Sequence, residues 1–141
     1  MHVGCMGLAP ASHDVVDSIP PMPSGGNLDD KRIGVGTTMY YPVEVAGALL
    51  SMGDAHMAQG DSELDGTGIE TSITGKFKLE VVKAVDFGAM ESALDFPLGE
   101  TATHWIVHSF VRVRRPSRTF NVRAPMESGA APTPSTRFIT S

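Results

Sequence analysis

Residues able to bind a metal or to move a proton are concentrated between Gly53 and Gly66. Four of them share this short segment: Asp54, His56, Asp61 and Glu63. In an extended chain, residues two apart point to the same face, so Asp54 shares a face with His56, and Asp61 shares one with Glu63. If residues 57–60 form a four-residue hairpin loop, His56 faces Asp61 across the hairpin. Asp54 then faces Glu63, and we expect all four side chains to converge.

Carboxylates beside one imidazole suit two kinds of chemistry. They can bind a hard or borderline divalent ion, or they can act as general acids and bases. The same segment is compatible with a solvated acidic turn in which His56 is merely hydrogen-bonded, and the spacing alone leaves both interpretations open. A calcium loop that begins at Asp61 is excluded, because its twelfth position is Ser72 instead of Glu and its flanks are strand-like.

The segment from Gly25 to Asp29 is a second candidate. Two adjacent glycines allow the backbone to approach a ligand closely. Asn27 and Asp29 are two apart, so an amide and a carboxylate can be presented together. Gly, Asn and Asp are also ordinary turn residues, which leaves a plain turn as the alternative.

Other reactive side chains give weaker signals. Cys5 has no base or cation nearby in the sequence that would activate a thiolate. His2 carries no signal for a functional role. His104 and His108 are four apart in a predicted strand and therefore share a face. We interpret His108 as a core or surface histidine.

Short segments of alternating character predict a mainly β fold. Thr38–Val45 alternates apolar and polar residues, and the segment Ile69–Val85 contains the clearest strand. Within the second segment, Phe77, Leu79 and Val81 should form one dry face. Thr103–Val113 is a further strand candidate, with Trp105 and Val107 directed inward. These strands are expected to build an incomplete domain that resembles a jelly roll or β-sandwich.

The composition agrees with short strands and excludes some functional classes. Fifteen Gly and ten Pro among 141 residues disfavour long helices. We expect a short helical turn over residues 86–94, and the apolar run 46–52 is too short for its period to distinguish a helix from a buried strand. A formal net charge of −5 argues against nucleic acid as the main partner. No apolar run approaches the roughly 20 residues that cross a bilayer. A single cysteine and the lack of a signal-peptide pattern favour a cytoplasmic protein.

The charge distribution changes abruptly after residue 110. Residues 111–141 contain six arginines, no lysine and one acid, whereas residues 1–110 contain fifteen of the sixteen acids. The later segment is rich in Arg, Ser and Pro and has no hydrophobic period, which is typical of disorder. We therefore predict a domain over residues 1–110 and a disordered tail over residues 111–141.

Read together, several motifs resemble the acetamidase/formamidase family. The Gly-Asp-x-His-x-x-Gln-Gly-Asp-x-Glu block at residues 53–63 is the most specific of them. The resemblance covers roughly residues 3–110 and rests on these segments in this order: 4–11, 25–29, 40–56, 59–63, 67–70 and 100–105. It implies a largely β fold and hydrolysis of short linear amides, formamide or acetamide, to a carboxylate and ammonia.

The resemblance also implies roles for individual residues. It implies a catalytic set: Glu63, Asp61, Asn27 and Gln59. It implies a set of ligands for a divalent metal, with zinc favoured: Asp54, His56 and Asp29. His104 is a weaker candidate for a supporting role behind these residues.

Two departures from the family pattern bear on activity. The family continues before the Gly-Cys-Met-Gly motif, and after residue 110 its pattern gives way here to the arginine-rich segment. We therefore expect a truncated amidase with impaired or no turnover, and a homo-oligomer in the intact family. A small amide is the expected substrate, with no nucleic-acid or membrane partner. The alternative is a non-enzymatic β-domain that binds a metal or another ligand.

Overall fold

The computed structural model describes residues 1–12, 15–83, 86, 94–111, 118–125 and 136–140. Ten strands are assigned in chain order: β1 His2–Gly7, β2 Gly25–Asn27, β3 Thr38–Tyr40, β4 Ser51–Ala58, β5 Ile69–Glu70, β6 Phe77–Val81, β7 Leu98–Glu100, β8 His104–Val111, β9 Arg118–Pro125 and β10 Thr136–Thr140. One 3₁₀ turn, Asp61–Glu63, lies between β4 and β5. The mainly β prediction is confirmed. Within the described part of the chain, no helix is long and apolar enough to cross a membrane.

The smaller sheet has the strand order β2-β1-β4-β5, with every pair antiparallel. β1 lies between β2 and β4, and its first residue, His2, pairs with His56. Gly7 pairs with Gly25 at the other end, where a Cβ on Gly7 would lie 2.5 Å from the amide nitrogen of Gly26. Glycine is required there because a side chain at this position would clash with the backbone of the neighbouring strand.

The larger sheet has the strand order β6-β10-β3-β7-β8-β9 and is also antiparallel. The predicted strand Thr38–Val45 ends at Tyr40, two residues before Pro42, which cannot donate to a ladder. The inward face predicted for β8 was wrong. Ile106 is buried and Val107 is 42% exposed, because Gly99 on β7 leaves room for Ile106.

The hydrophobic core joins the two sheets through seven buried side chains: Val3, Met6, Leu8, Leu28, Ile33, Met39 and Tyr41. Leu28 and Ile33 come from the loop after β2, so their burial fixes the polar residues between them. The dry face predicted for β6 was wrong beyond its first residue. Phe77 packs against the core, whereas Leu79 and Val81 are 57% and 79% exposed, because the described residues leave that part of β6 uncovered.

Residues 111–141 were predicted as a disordered tail, and their described part contains strands. β9 pairs with β8, and β10 lies between β3 and β6. Both strands contain Thr, Phe and a β-branched aliphatic residue, which suit a pleated sheet. The described residues do not include 112–117 or 126–135 of this segment. They also do not include residues 87–93 of the predicted helical turn. The division into a domain and a tail stays a prediction.

Candidate functional site

His56 is the buried centre of a polar cluster. Its side chain is fully buried, and Nε2 lies 3.2 Å from Asp54 Oδ1, 3.4 Å from Asp29 Oδ1 and 4.0 Å from Glu63 Oε1. The predicted convergence of residues from the Gly53–Gly66 segment is therefore present for three side chains. Asp29, from the second candidate segment, completes the set.

The hairpin proposed to bring these residues together was wrong. Instead of pairing across residues 57–60, β4 pairs with β5, and His56 lies opposite Glu70. The intervening chain makes the 3₁₀ turn, in which Ser62 and Glu63 have φ values of 57° and 47°. This left-handed turn reverses the chain, so Glu63 returns to His56 by a different path from a regular hairpin.

Three of the four clustered residues have left-handed backbones. The φ values are 46° for Asp29, 57° for Asp54 and 47° for Glu63. Each such non-glycine residue costs about 1–2 kcal/mol relative to a right-handed conformation. The fold therefore stores strain where the carboxylates converge, as is common at functional sites.

Two glycines provide the space for the cluster. A Cβ on Gly4 would lie 2.7 Å from Asp29 Oδ1 and 2.7 Å from Asp54 Oδ2. A Cβ on Gly68 would lie 2.7 Å from His56 Nδ1. Any larger residue at either position would displace these side chains, because Cβ atoms do not approach other atoms so closely.

The cluster is rich in negative charge and short of hydrogen-bond donors. Burial, and then the charges of Glu63 and Asp54, raise the pKa of Asp29 to about 6. Asp29 Oδ1 and both ring nitrogens of His56 are buried without a hydrogen-bond partner among the described residues. Buried polar atoms without partners are rare in folded proteins. A cation bound between the Asp29 carboxylate and the His56 imidazole would supply the missing partner.

The donor set fits a divalent metal ion. One ligand atom each from Asp29, His56 and Glu63 can be chosen so that all three lie within 4.8 Å of one another. One imidazole nitrogen with carboxylate oxygens is a set that zinc accepts. Asp54, predicted as a ligand, lies next to His56 Nε2 and is available as a further oxygen donor.

Gln59 and His2 form a second layer behind the cluster. The Gln59 side-chain amide donates to the backbone carbonyl of Asp29, and its Oε1 lies 3.0 Å from His2 Nε2. The His2 ring is stacked on the His56 ring at a centroid distance of 5.2 Å. Sequence reasoning assigned no role to His2, because only the pairing of β1 with β4 reveals its neighbour.

Three other residues predicted for the site are not among the four clustered side chains. Asp61 is 63% exposed in its side chain and pairs with Lys31 and Arg32. Asn27 accepts from the Cys5 thiol at 3.0 Å and donates to the carbonyl of Ile19. The third, His104, begins β8 in the larger sheet, where its ring contacts Thr103.

A cleft of about 480 Å³ adjoins the cluster at Asp54. Its wall includes Cys5 from β1 and Asn27 from β2, together with apolar residues such as Met22 and Met52. Burial, with the nearby charge of Asp54, raises the pKa of the Cys5 thiol to about 12. The thiol is therefore protonated and is not an activated nucleophile.

His108 has a role that the sequence did not indicate. It is fully buried, with Nε2 3.4 Å from Asp30 Oδ2 and Nδ1 3.1 Å from the carbonyl of Pro97. Burial opposes ionisation of Asp30, but the hydrogen bonds from His108 and Arg32 lower its pKa overall. This pair ties the loop that carries Asp29 to the larger sheet.

The chain is similar in sequence to a known protein family and to several curated proteins. Residues 1–114 match the model of the acetamidase/formamidase family. The chain is 44% identical over 54 residues to an acetamidase from Mycolicibacterium smegmatis and 47% identical over 47 residues to a formamidase from Methylophilus methylotrophus. It is 39% identical over 83 residues to a putative formamidase from Schizosaccharomyces pombe.

These matches cover 38%, 33% and 57% of the chain, respectively. They cover only 13%, 12% and 20% of the three relatives, so the chain spans a minor part of their length. The family match nevertheless includes every member of the His56 cluster and both supporting glycines. The chain belongs to the acetamidase/formamidase family.

Proposed function

We propose that this chain carries a hydrolytic centre for short linear amides, which converts formamide or acetamide to a carboxylate and ammonia. The observation that carries the proposal is the buried His56 imidazole, whose Nε2 lies within 4.0 Å of three carboxylates and has no hydrogen-bond partner among the described residues. The names of the related acetamidase and formamidases support the substrate class.

In this proposal, the cluster residues hold a divalent ion, with zinc favoured. His56, Asp29 and Asp54 are the proposed ligands, since the two carboxylates lie 3.4 and 3.2 Å from His56 Nε2. Glu63 lies in the same cluster but is proposed to stay off the ion. A bound zinc ion would polarise the amide carbonyl and lower the pKa of a bound water. The positive charge would also relieve the repulsion among the carboxylates, which the raised pKa of Asp29 reflects.

Glu63 is proposed as the proton carrier. Its carboxylate is at the edge of the cluster and keeps 15% side-chain exposure, so it is accessible to water. Water attacks the amide carbon and gives a proton to Glu63, and the carbonyl π electrons move onto oxygen. When the C–N bond breaks, Glu63 returns that proton to the departing nitrogen, which leaves as ammonia.

Asn27 and Gln59 have supporting parts in the proposal. Asn27 lies in the wall of the cleft that reaches Asp54, where one amide N–H can stabilise the developing oxyanion. The Gln59 amide is engaged by His2 and by the Asp29 carbonyl, which favours a positioning role. Asp61 is proposed to orient the turn through Lys31 and Arg32, because its carboxylate pairs with these cations.

The setting of the reaction is part of the same proposal. We propose a cytoplasmic enzyme, supported by the single cysteine, which suits a reducing compartment. We also propose a homo-oligomer in the intact protein. The exposure of Leu79 and Val81 supports a covering partner, since apolar sheet faces are rarely left open.

Ammonia release from formamide and acetamide tests the proposal. The purified chain would be compared with His56→Ala, Glu63→Gln and the remote control Lys78→Gln, with added zinc and after chelation. Because the chain spans only a minor part of its relatives' length, we expect impaired zinc-dependent turnover. That turnover should be lost in the first two variants and unchanged in the control. Turnover that survives both substitutions would contradict the proposal. Zinc binding with no ammonia release would favour the alternative of a non-enzymatic binding domain.

A further inference from the structure

His2 lies directly behind the proposed metal-binding imidazole. β1 and β4 pair so that His2 is opposite His56, and their rings are stacked with an interplanar angle of 12°. The centroid distance of 5.2 Å is within the range of offset aromatic stacking. Both side chains are buried, so neither ring can turn without displacing the other.

The edge of the His2 ring also reaches the loop on the far side of the cluster. His2 Nε2 lies 3.0 Å from Gln59 Oε1, which can only accept, so Nε2 carries the proton. The other end of the same amide donates to the carbonyl of Asp29. A single orientation of Gln59 satisfies both contacts. A reversed amide would place its NH₂ group against the His2 Nε2–H and its oxygen against the Asp29 carbonyl.

Asp29 is therefore held at both of its backbone polar groups. Its N–H donates to the carbonyl of Gly4 at 3.0 Å, and its C=O accepts from Gln59. This matters because Asp29 has a φ of 46°, a conformation that an unrestrained Asp would readily leave. Release of the carbonyl would allow the carboxylate to move away from His56.

We propose that His2 is a positioning residue, whose stacked ring fixes the plane of His56 and whose Nε2–H, through Gln59, fixes Asp29. The inference rests on the proposed function, in which His56 and Asp29 are ligands. One buried side chain thereby sets the orientation of two ligands from separate segments. Groups that orient metal ligands typically account for about 10–100-fold in metal affinity.

The first test reads the Gln59 amide directly and needs neither metal nor substrate. Gln59 is the only glutamine in the sequence, so labelling glutamine with ¹⁵N gives one unambiguous pair of side-chain amide signals. In the parent chain we expect a well-separated pair that exchanges slowly with solvent. His2→Phe keeps an aromatic ring for stacking but removes the donor, and the pair should move to the position of a free, rapidly exchanging amide.

The second test measures zinc affinity by competition with a chromogenic chelator. His2→Phe and Gln59→Leu should each weaken binding by about tenfold or more. The double variant should be no weaker than the weaker single variant, because both changes break one linkage. Thr101→Val is a matched control, since it removes a side-chain hydrogen bond to the carbonyl of His104 in the larger sheet. Its zinc affinity should stay within about twofold of the parent.

Two results would overturn the inference: an unchanged Gln59 amide in His2→Phe, or losses of zinc affinity that add fully in the double variant. A parent chain that binds no zinc would contradict the metal part of the proposed function. The Gln59 signals would then still decide whether His2 positions the loop.

Discussion

Gly4→Ala should disrupt the cluster, although it adds only one methyl group and changes none of the cluster's own residues. The new Cβ would lie 2.7 Å from Asp29 Oδ1, 2.7 Å from Asp54 Oδ2 and 2.8 Å from the backbone oxygen of Asp54. An ordinary contact begins at 3.4 Å, so each atom would have to retreat by about 0.7 Å. The carboxylates can rotate, but the backbone oxygen belongs to β4, which is paired with β1 on both sides of Gly4.

The expected cost is that of overpacking at a fixed strand pair. We expect the free energy of unfolding to fall by about 1–3 kcal/mol, reduced by the roughly 0.4–1 kcal/mol that Gly→Ala contributes through the unfolded chain. Zinc affinity should fall by at least about tenfold, since two ligand candidates are displaced together. Urea unfolding and chelator competition measure the two effects separately.

Gly60→Ala is the matched control for this change. Gly60 has a φ of −69°, and nothing lies within 4 Å of its Cβ position. The control should therefore be neutral or slightly stabilising, with unchanged zinc affinity. If Gly4→Ala binds zinc as tightly as Gly60→Ala does, the cluster does not depend on the close approach of β1, and this reasoning is refuted.

Three further predictions concern stability. The pKa of Asp29 is raised from 3.8 to about 6, so the stability associated with its protonated form is present below about pH 4 and lost as pH rises through 6. In metal-free buffer, the unfolding free energy of Asp29→Asn should therefore rise relative to that of the parent by up to about 3 kcal/mol as pH increases from 4 to 7. A constant difference between the two proteins over this pH range would contradict this. His108→Ala removes the partner of Asp30 Oδ2 and leaves Arg32 on Oδ1, so it should cost about 1–3 kcal/mol in urea unfolding. A cost below about 0.5 kcal/mol would refute a structural pair. Leu79→Lys should reduce aggregation measured by light scattering, with unfolding free energy within about 0.5 kcal/mol, because Leu79 is 57% exposed.

The local part of the site could be predicted from the sequence. The strand period of two predicts that Asp54 and His56 lie together, and their side chains are 3.2 Å apart within β4. The Gly25–Asp29 segment was singled out for its adjacent glycines, both of which have a positive φ. These features depend only on neighbouring residues, so a sequence pattern carries them.

The nonlocal part could not be predicted in this way. His2 becomes a neighbour of His56 only through the β1–β4 pairing, which is set by the whole sheet. Glu63 and Asp61 are two apart and were expected to point together, but the left-handed Ser62 and Glu63 separate them. Burial of β8 and β6 likewise depends on which neighbouring elements cover each face, and alternation alone does not contain that information.

X-ray absorption at the zinc edge tests whether the His56 cluster is a metal centre. We expect one zinc ion per chain, bound by one imidazole nitrogen and by oxygens at about 2.0–2.2 Å, with no sulfur from Cys5. The signal should be lost in His56→Ala and kept in Cys5→Ser. A sulfur contribution near 2.3 Å, or an unchanged zinc spectrum in His56→Ala, would show that the metal binds elsewhere and would contradict the account.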